Sequence, residues 1–134
     1  MSDKTKFPTV DDAIEAFNRG EYFEAAEMFE AAAQAADADF QAIAGALGRV
    51  AAALHMRFER GGRQGAINLL SQAMIALDEM RPVRGGIDIE QLYAEISAYT
   101  EEVRATPRDE RDGMKRRARM FLERRRAPKI ARRG

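Results

Sequence analysis

Apolar positions recur at helical spacing through most of this chain. After Tyr22, the residues Ala25, Phe29 and Ala32 follow at intervals of three and four, while Glu21, Glu24, Glu27 and Glu30 crowd towards the other side. The spacing predicts a helix over about 22–36 whose apolar face needs a partner. Gly20 precedes it, where a helix closes in the left-handed conformation that glycine adopts without steric cost. The frame returns 41 residues later: Gly61, Arg63, Ala66, Leu70 and Ala73 fall at the positions of Gly20, Tyr22, Ala25, Phe29 and Ala32. Two helical hairpins are therefore predicted.

The remaining elements follow in chain order. Residues 1–8 form a loose arm in this reading, and Thr9 with Asp12 has the spacing of a capping box opening a helix to Arg19. Asp37, Ala38 and Asp39 supply a turn and an N-cap for a third helix over about 40–60. Gly45 and Gly48 lower its intrinsic stability but allow close approach of neighbouring backbones, which suits a central, enclosed helix. Gly61 and Gly62 end it. A fourth helix over about 64–80 turns Ile67, Leu70, Met74 and Leu77 inward, Pro82 stops it, and 81–86 is a turn. A fifth over about 89–104 places Ile89, Leu92, Tyr93, Ile96 and Tyr99 on one side, before Thr106-Pro107 breaks it. The predicted fold class is all-α: a bundle of two antiparallel hairpins plus a fifth helix, with Phe17, Tyr22, Phe29, Leu47, Leu54, Leu70 and Leu77 in its core. The bundle is expected over 9–105 and a separate tail over 106–134.

Composition narrows this picture. The chain has 134 residues and 46% apolar content, enough for one compact domain. It lacks cysteine, which excludes disulfides and thiolate metal sites, and no apolar run approaches the roughly 18 residues of a membrane span. The first ten residues lack the apolar stretch of a signal peptide, so a bacterial-type cytoplasmic protein is the simplest expectation.

The formal net charge of zero conceals a division. Residues 1–104 hold 10 Lys/Arg and 18 Asp/Glu (net −8), whereas 105–134 hold 12 Lys/Arg and 4 Asp/Glu (net +8). Such asymmetry marks either an interaction tail or a tail that folds back onto an acidic body. A helix is expected over about 109–126, with Asp109, Glu110 and Asp112 in its first turn and Arg124, Arg125 and Arg126 in its last, matching the helix dipole. Met114, Ala118, Phe121 and Leu122 make its apolar stripe. Lys115, Arg116, Arg117, Arg119, Arg124, Arg125 and Arg126 are the candidate anion-binding residues, and the excess of arginine over lysine favours carboxylate or phosphate contacts. Docking on the bundle or on a second copy, binding a phosphate backbone, and lying on an anionic membrane surface all fit a basic amphipathic helix. With one phenylalanine the stripe is thin for membrane insertion, and the lack of aromatics beyond Phe121 does not indicate base stacking. Pro128 and 129–134 are expected to order only when bound.

The frame Gly-x-Tyr-x-x-Ala-x-x-x-Phe-x-x-Ala resembles the tetratricopeptide pattern, in which small residues let two helices approach and a large one wedges between them. More specifically, Phe17-Asn18-Arg19-Gly20-Glu21-Tyr22-Phe23-Glu24-Ala25, Ala51-Ala52-Ala53-Leu54-His55, and Gly65-Ala66 followed by Gly86-Ile87-Asp88 resemble the bacterial, archaeal and plastid domain-of-unknown-function family numbered 309. The resemblance covers roughly 14–99 and implies an all-helical bundle of two hairpins plus a further helix, with no agreed activity. This chain departs from the family at its polar centre. Ala26 stands where a histidine is usual, Ala33 where an aromatic is expected, Gly48 where a glutamine is common, and Met56 where a second histidine often follows His55. If relatives use those groups for a ligand, that site is reduced here to a groove or pocket around Ala26, Glu27, Phe29, Ala33, Gly48 and His55. Loss of volume at Ala26, Ala33 and Gly48 leaves either tighter helix packing or an apolar cavity, and tight packing is the expectation because interiors seldom retain large voids.

His55 is the sole histidine. A general base needs a substrate within reach, and a metal site needs two or three further ligands, for which only Glu27, Asp37, Asp39 or Glu59 offer themselves without motif spacing. A structural histidine is the expectation, and the glutamates at three-residue spacing read as a solvated face. No catalytic, metal or cofactor site is predicted. The expected function is that of a non-catalytic helical adaptor whose Arg-rich C-terminal helix engages an acidic partner, whether protein, ribonucleoprotein or nucleic acid; self-association through acidic body and basic tail is a further option. The alternative is a small-molecule-binding or enzymatic site between the second and third helices, near Glu27 and His55.

Overall fold

A computed structural model describes residues 9–35, 38–106 and 113–133. It is an all-α bundle of α1 (Val10–Asn18), α2 (Tyr22–Ala35), α3 (Ala38–Arg60), α4 (Gln64–Asp78), α5 (Ile89–Arg104) and α6 (Gly113–Arg125), with a small hairpin of β1 (Val83–Arg84) and β2 (Ile87–Asp88) between α4 and α5. The expected arm 1–8, Asp37, and the acidic turn of Asp109, Glu110 and Asp112 lie outside the described residues.

Local chemistry sets most boundaries. Thr9 caps α1 as a full capping box, its hydroxyl accepting from the Asp12 N–H at 3.2 Å while the Asp12 carboxylate accepts from the Thr9 N–H. Gly20 and Gly61, the punctuation of the repeated frame, both sit at positive φ (83° and 67°). Downstream of each, Ala25 and Phe29, or Ala66 and Leu70, are fully buried. The repeat is thus two structural hairpins, α1/α2 and α3/α4, with α2 lying along α3 and α5 closing against α4.

All seven residues expected in the core are buried, around Phe17, Phe29, Leu47, Leu54, Leu70 and Leu77 at zero exposure. Gly48 lies against Phe29: a Cβ placed on Gly48 would meet the Phe29 Cβ at 3.5 Å, ordinary van der Waals contact, so α2 and α3 close on each other there. Gly45 behaves otherwise. It is exposed with open space around it, so it brings no backbone closer.

The segment expected as a plain turn over 81–86 is a hairpin. Gly85 and Gly86 both take positive φ (60° and 74°), the two-residue turn that matches strand twist, and Val83 and Arg84 pair with Asp88 and Ile87. The hairpin receives the end of the chain. The Asp88 N–H donates to the Ala131 carbonyl at 2.9 Å and the Arg133 N–H to the Gly86 carbonyl at 2.8 Å, so Arg132 forms an antiparallel bridge with Ile87 beside the two-stranded hairpin.

This corrects the expectation of a tail that orders only when bound. Ala127, Pro128 and Ile130 are buried, and Ala127 and Ile130 belong to the same core cluster as Phe17 and Leu92. Asn18, at the end of α1, brackets Ile130: its side-chain N–H donates to the Ile130 carbonyl at 2.9 Å and its side-chain oxygen accepts from the Ile130 N–H at 2.8 Å. The Lys129 N–H donates to Glu95, the Lys129 ammonium to the Asn18 carbonyl, and Arg132 pairs with Asp11. The boundary expected at 105/106 does not divide the core.

Phe29→Ala removes a fully enclosed ring from the α2–α3 seam. It should cost about 3–5 kcal/mol in denaturant unfolding; a loss below about 1 kcal/mol would place Phe29 outside the core.

Candidate functional site: an arginine-lined groove between α3 and α6

The position of α6 is set by one buried charge pair. On α3, Val50, Leu54 and Arg57 recur at the spacing of the inward stripe, so Arg57 stands where an apolar side chain is expected. On α6, Glu123 is the only carboxylate, and it is completely buried. Arg57 Nε donates to Glu123 Oε1 at 2.7 Å and Arg57 Nη2 to Glu123 Oε2 at 2.9 Å, a bidentate pair. The Tyr99 hydroxyl of α5 donates to Glu123 Oε1 at 2.7 Å, and the remaining Arg57 donors reach the Gly62 carbonyl and the Thr106 hydroxyl. Three helices meet on one carboxylate.

The electrostatics follow from that geometry. Burial opposes the charge on Arg57, but the hydrogen bonds and charge of Glu123 outweigh it and hold the guanidinium above its ordinary pKa. Tyr99 is held well above the usual phenol range, first by burial and then by the adjacent Glu123 carboxylate.

With Glu123 turned inward, the apolar stripe of α6 faces out. Met114 is 81% exposed, Phe121 63% and Leu122 47%, so these side chains do not dock the helix on its own bundle. The candidate anion-binding residues divide. Arg124 donates to the Gly20 carbonyl at 2.9 Å and lies over the rings of Tyr22 and Phe58, Arg126 pairs with Glu102 at 3.0 Å, and Arg119 approaches Glu123 at 3.8 Å. Arg124 and Arg126 therefore hold the tail on the body, while the Arg119 contact to Glu123 lies within α6. Lys115, Arg116, Arg117 and Arg125 are exposed. Arg125 lies over Phe121, 5.9 Å from its centroid, and the Arg116 guanidinium lies against Gly61.

Between the end of α3 and α6 runs a groove of about 570 Å3, into which Arg60, Arg116, Arg117 and Arg124 converge above Phe58 and Phe121. Among the described residues Glu59 is the single carboxylate on its wall. Sequence reasoning missed Arg60, because a cation in the last turn of a helix reads as a dipole partner. It also missed the pair that fixes α6. The available signals were Arg57 in an apolar register and Glu123 alone among arginines.

The site expected between α2 and α3 is partly assembled. Ala26, Glu27 and His55 share an open depression of about 410 Å3 with Phe23, whose ring is 5.2 Å from the imidazole. Phe29 is buried, Gly48 packs on Phe29, and none of Phe29, Ala33 and Gly48 lines the depression. Among the described residues no group of three or more His, Asp or Glu side chains is placed to hold a metal ion, and no helix is long and apolar enough to cross a membrane. No family model, curated protein or solved structure shows a significant match to the chain.

Two predictions concern the buried pair. Arg57→Met and Glu123→Leu should each cost about 3–5 kcal/mol, because each leaves the other charge buried and unpaired, while the double variant should cost much less than their sum. Additive losses in denaturant unfolding would show that the charges act independently. The second prediction is alkaline. A phenol whose pKa is raised by folding binds its proton more tightly in the folded chain, so that stabilisation is complete below about pH 10 and declines above it. The melting temperature should fall as pH passes about 10. Tyr99→Phe should lower it at neutral pH by removing a hydrogen bond worth about 1.5–3 kcal/mol, yet flatten the alkaline fall; an equally steep fall in the variant would assign it to other groups.

Proposed function

We propose that this chain is a non-catalytic helical interaction protein, a divergent relative of the family numbered 309, in which the bundle serves as the mount and α6 as the surface that engages an acidic partner. The observation that carries this reading is the inward turn of Glu123. Withdrawing the only carboxylate of α6 into the core leaves the exposed surface of that helix purely cationic and apolar. A solvated helix has no use for that arrangement, since it exposes Met114 and Phe121 and buries a charge. A docking helix does, because aromatic and arginine side chains beside desolvated apolar surface are what interfaces concentrate.

The groove strengthens the case. Arginine forks bind carboxylates and phosphates in two-point fashion, and four of them sharing one groove create a local positive potential although the chain as a whole is neutral. The acidic face of α2 supports the same division of labour: Glu24, Glu27 and Glu30 are all exposed and repel the anions that α6 attracts.

The test exploits the split among the arginines. Arg60→Gln, Arg116→Gln and Arg117→Gln together remove three groove charges while leaving Arg124 and Arg126 to hold the tail, so stability should change by about 0.5 kcal/mol per site or less. Affinity capture with the full chain at low salt should retain an acidic partner that the triple variant loses and that added salt releases. Equal, salt-insensitive capture by the folded triple variant would remove the acidic-partner reading.

A further inference from the structure

Resting on the acidic-partner reading, we infer that the groove between α3 and α6 takes single-stranded nucleic acid, with the sugar-phosphate backbone along Arg60, Arg116 and Arg117 and a base on the ring of Phe121. The groove volume of about 570 Å3 lies within the range of small-ligand clefts, a size suited to a nucleotide unit rather than to a duplex. Among the described residues its charge is one-sided, with Glu59 the only carboxylate on the wall and none exposed on α6.

Charge alone does not distinguish phosphate from carboxylate. Phe121 does. Its ring is largely exposed at the groove and carries the Arg125 guanidinium beside it, and Phe58 lies within the same groove under Arg124. A peptide of acidic residues alone, such as polyglutamate, would pair with the arginines and leave the Phe121 ring in water, whereas an unstacked base covers such a ring and uses the guanidinium plane as a second stacking surface. Along α6 alone Phe121 is a solitary aromatic; the second ring of the groove comes from α3. Stacking of this kind accepts any base, so the expected binding is sequence-tolerant and tracks the backbone.

The full chain is titrated with a fluorescent twelve-nucleotide oligothymidine, a duplex of equal length, and polyglutamate. The single strand should bind at least about tenfold more tightly than either competitor, with a log-affinity against log-salt slope of about −2, as expected for three phosphates on a single strand. The triple glutamine variant should lose most of that slope. Phe121→Ala should weaken binding about tenfold with the slope unchanged, because the ring contributes stacking and no charge; its exposure keeps the fold intact. Polyglutamate bound as tightly as the oligonucleotide, with Phe121→Ala without effect, would overturn this inference and leave the acidic-partner reading standing. Equal affinity for the duplex would overturn it as well. Failure of all three probes to bind would remove both.

Discussion

The structure depends on a carboxylate that has no solvent. Glu123 is fully buried, and its cost of desolvation is met by two hydrogen bonds from Arg57 and one from Tyr99. A buried ion pair of this kind contributes less to net stability than to uniqueness here, because only one rotation of α6 brings its single acid to the Arg57 guanidinium. Any other rotation would bury an arginine without a partner or leave Arg57 unpaired. That fixed rotation is what turns Met114, Phe121 and Leu122 outward and brings Arg116 and Arg117 over the end of α3.

The tail beyond α6 secures this arrangement from the other end. Asn18 satisfies both backbone groups of Ile130, and Arg132 bridges Ile87 of β2 through the Ala131 carbonyl and the Arg133 N–H, while Ala127 and Ile130 enter the core. The acidic body and basic tail therefore neutralise each other at particular contacts, Asp11 with Arg132 and Glu102 with Arg126, while the groove arginines stand outside that exchange. The division of charge in the sequence serves two ends: part of it closes the fold, and part stays on the surface.

Helices α1 to α5 were legible in the sequence to within a few residues, and the reason is local. Capping at Thr9, positive φ at Gly20 and Gly61, and three-to-four spacing of apolar residues are each encoded within one or two turns of chain. The core residues followed from the same periodicity. The candidate site was only half legible: the tail arginines were identified as a set, but not which of them face inward, since α6 carries arginine around most of its circumference and its weak apolar stripe points away from the bundle.

Local pattern along the chain is therefore enough for the all-α bundle, its two glycine-punctuated hairpins and the cationic character of residues 105–134. The tertiary structure alone decided the burial of Glu123 against Arg57, 66 residues away, the bracket of Asn18 on Ile130 across 112 residues, and the joining of Arg60 to the arginines of α6. The physical reason is that helix period, capping and glycine turns are properties of neighbouring residues. A buried ion pair or a side-chain bracket on a remote backbone depends instead on complementarity between distant segments, which no local pattern records.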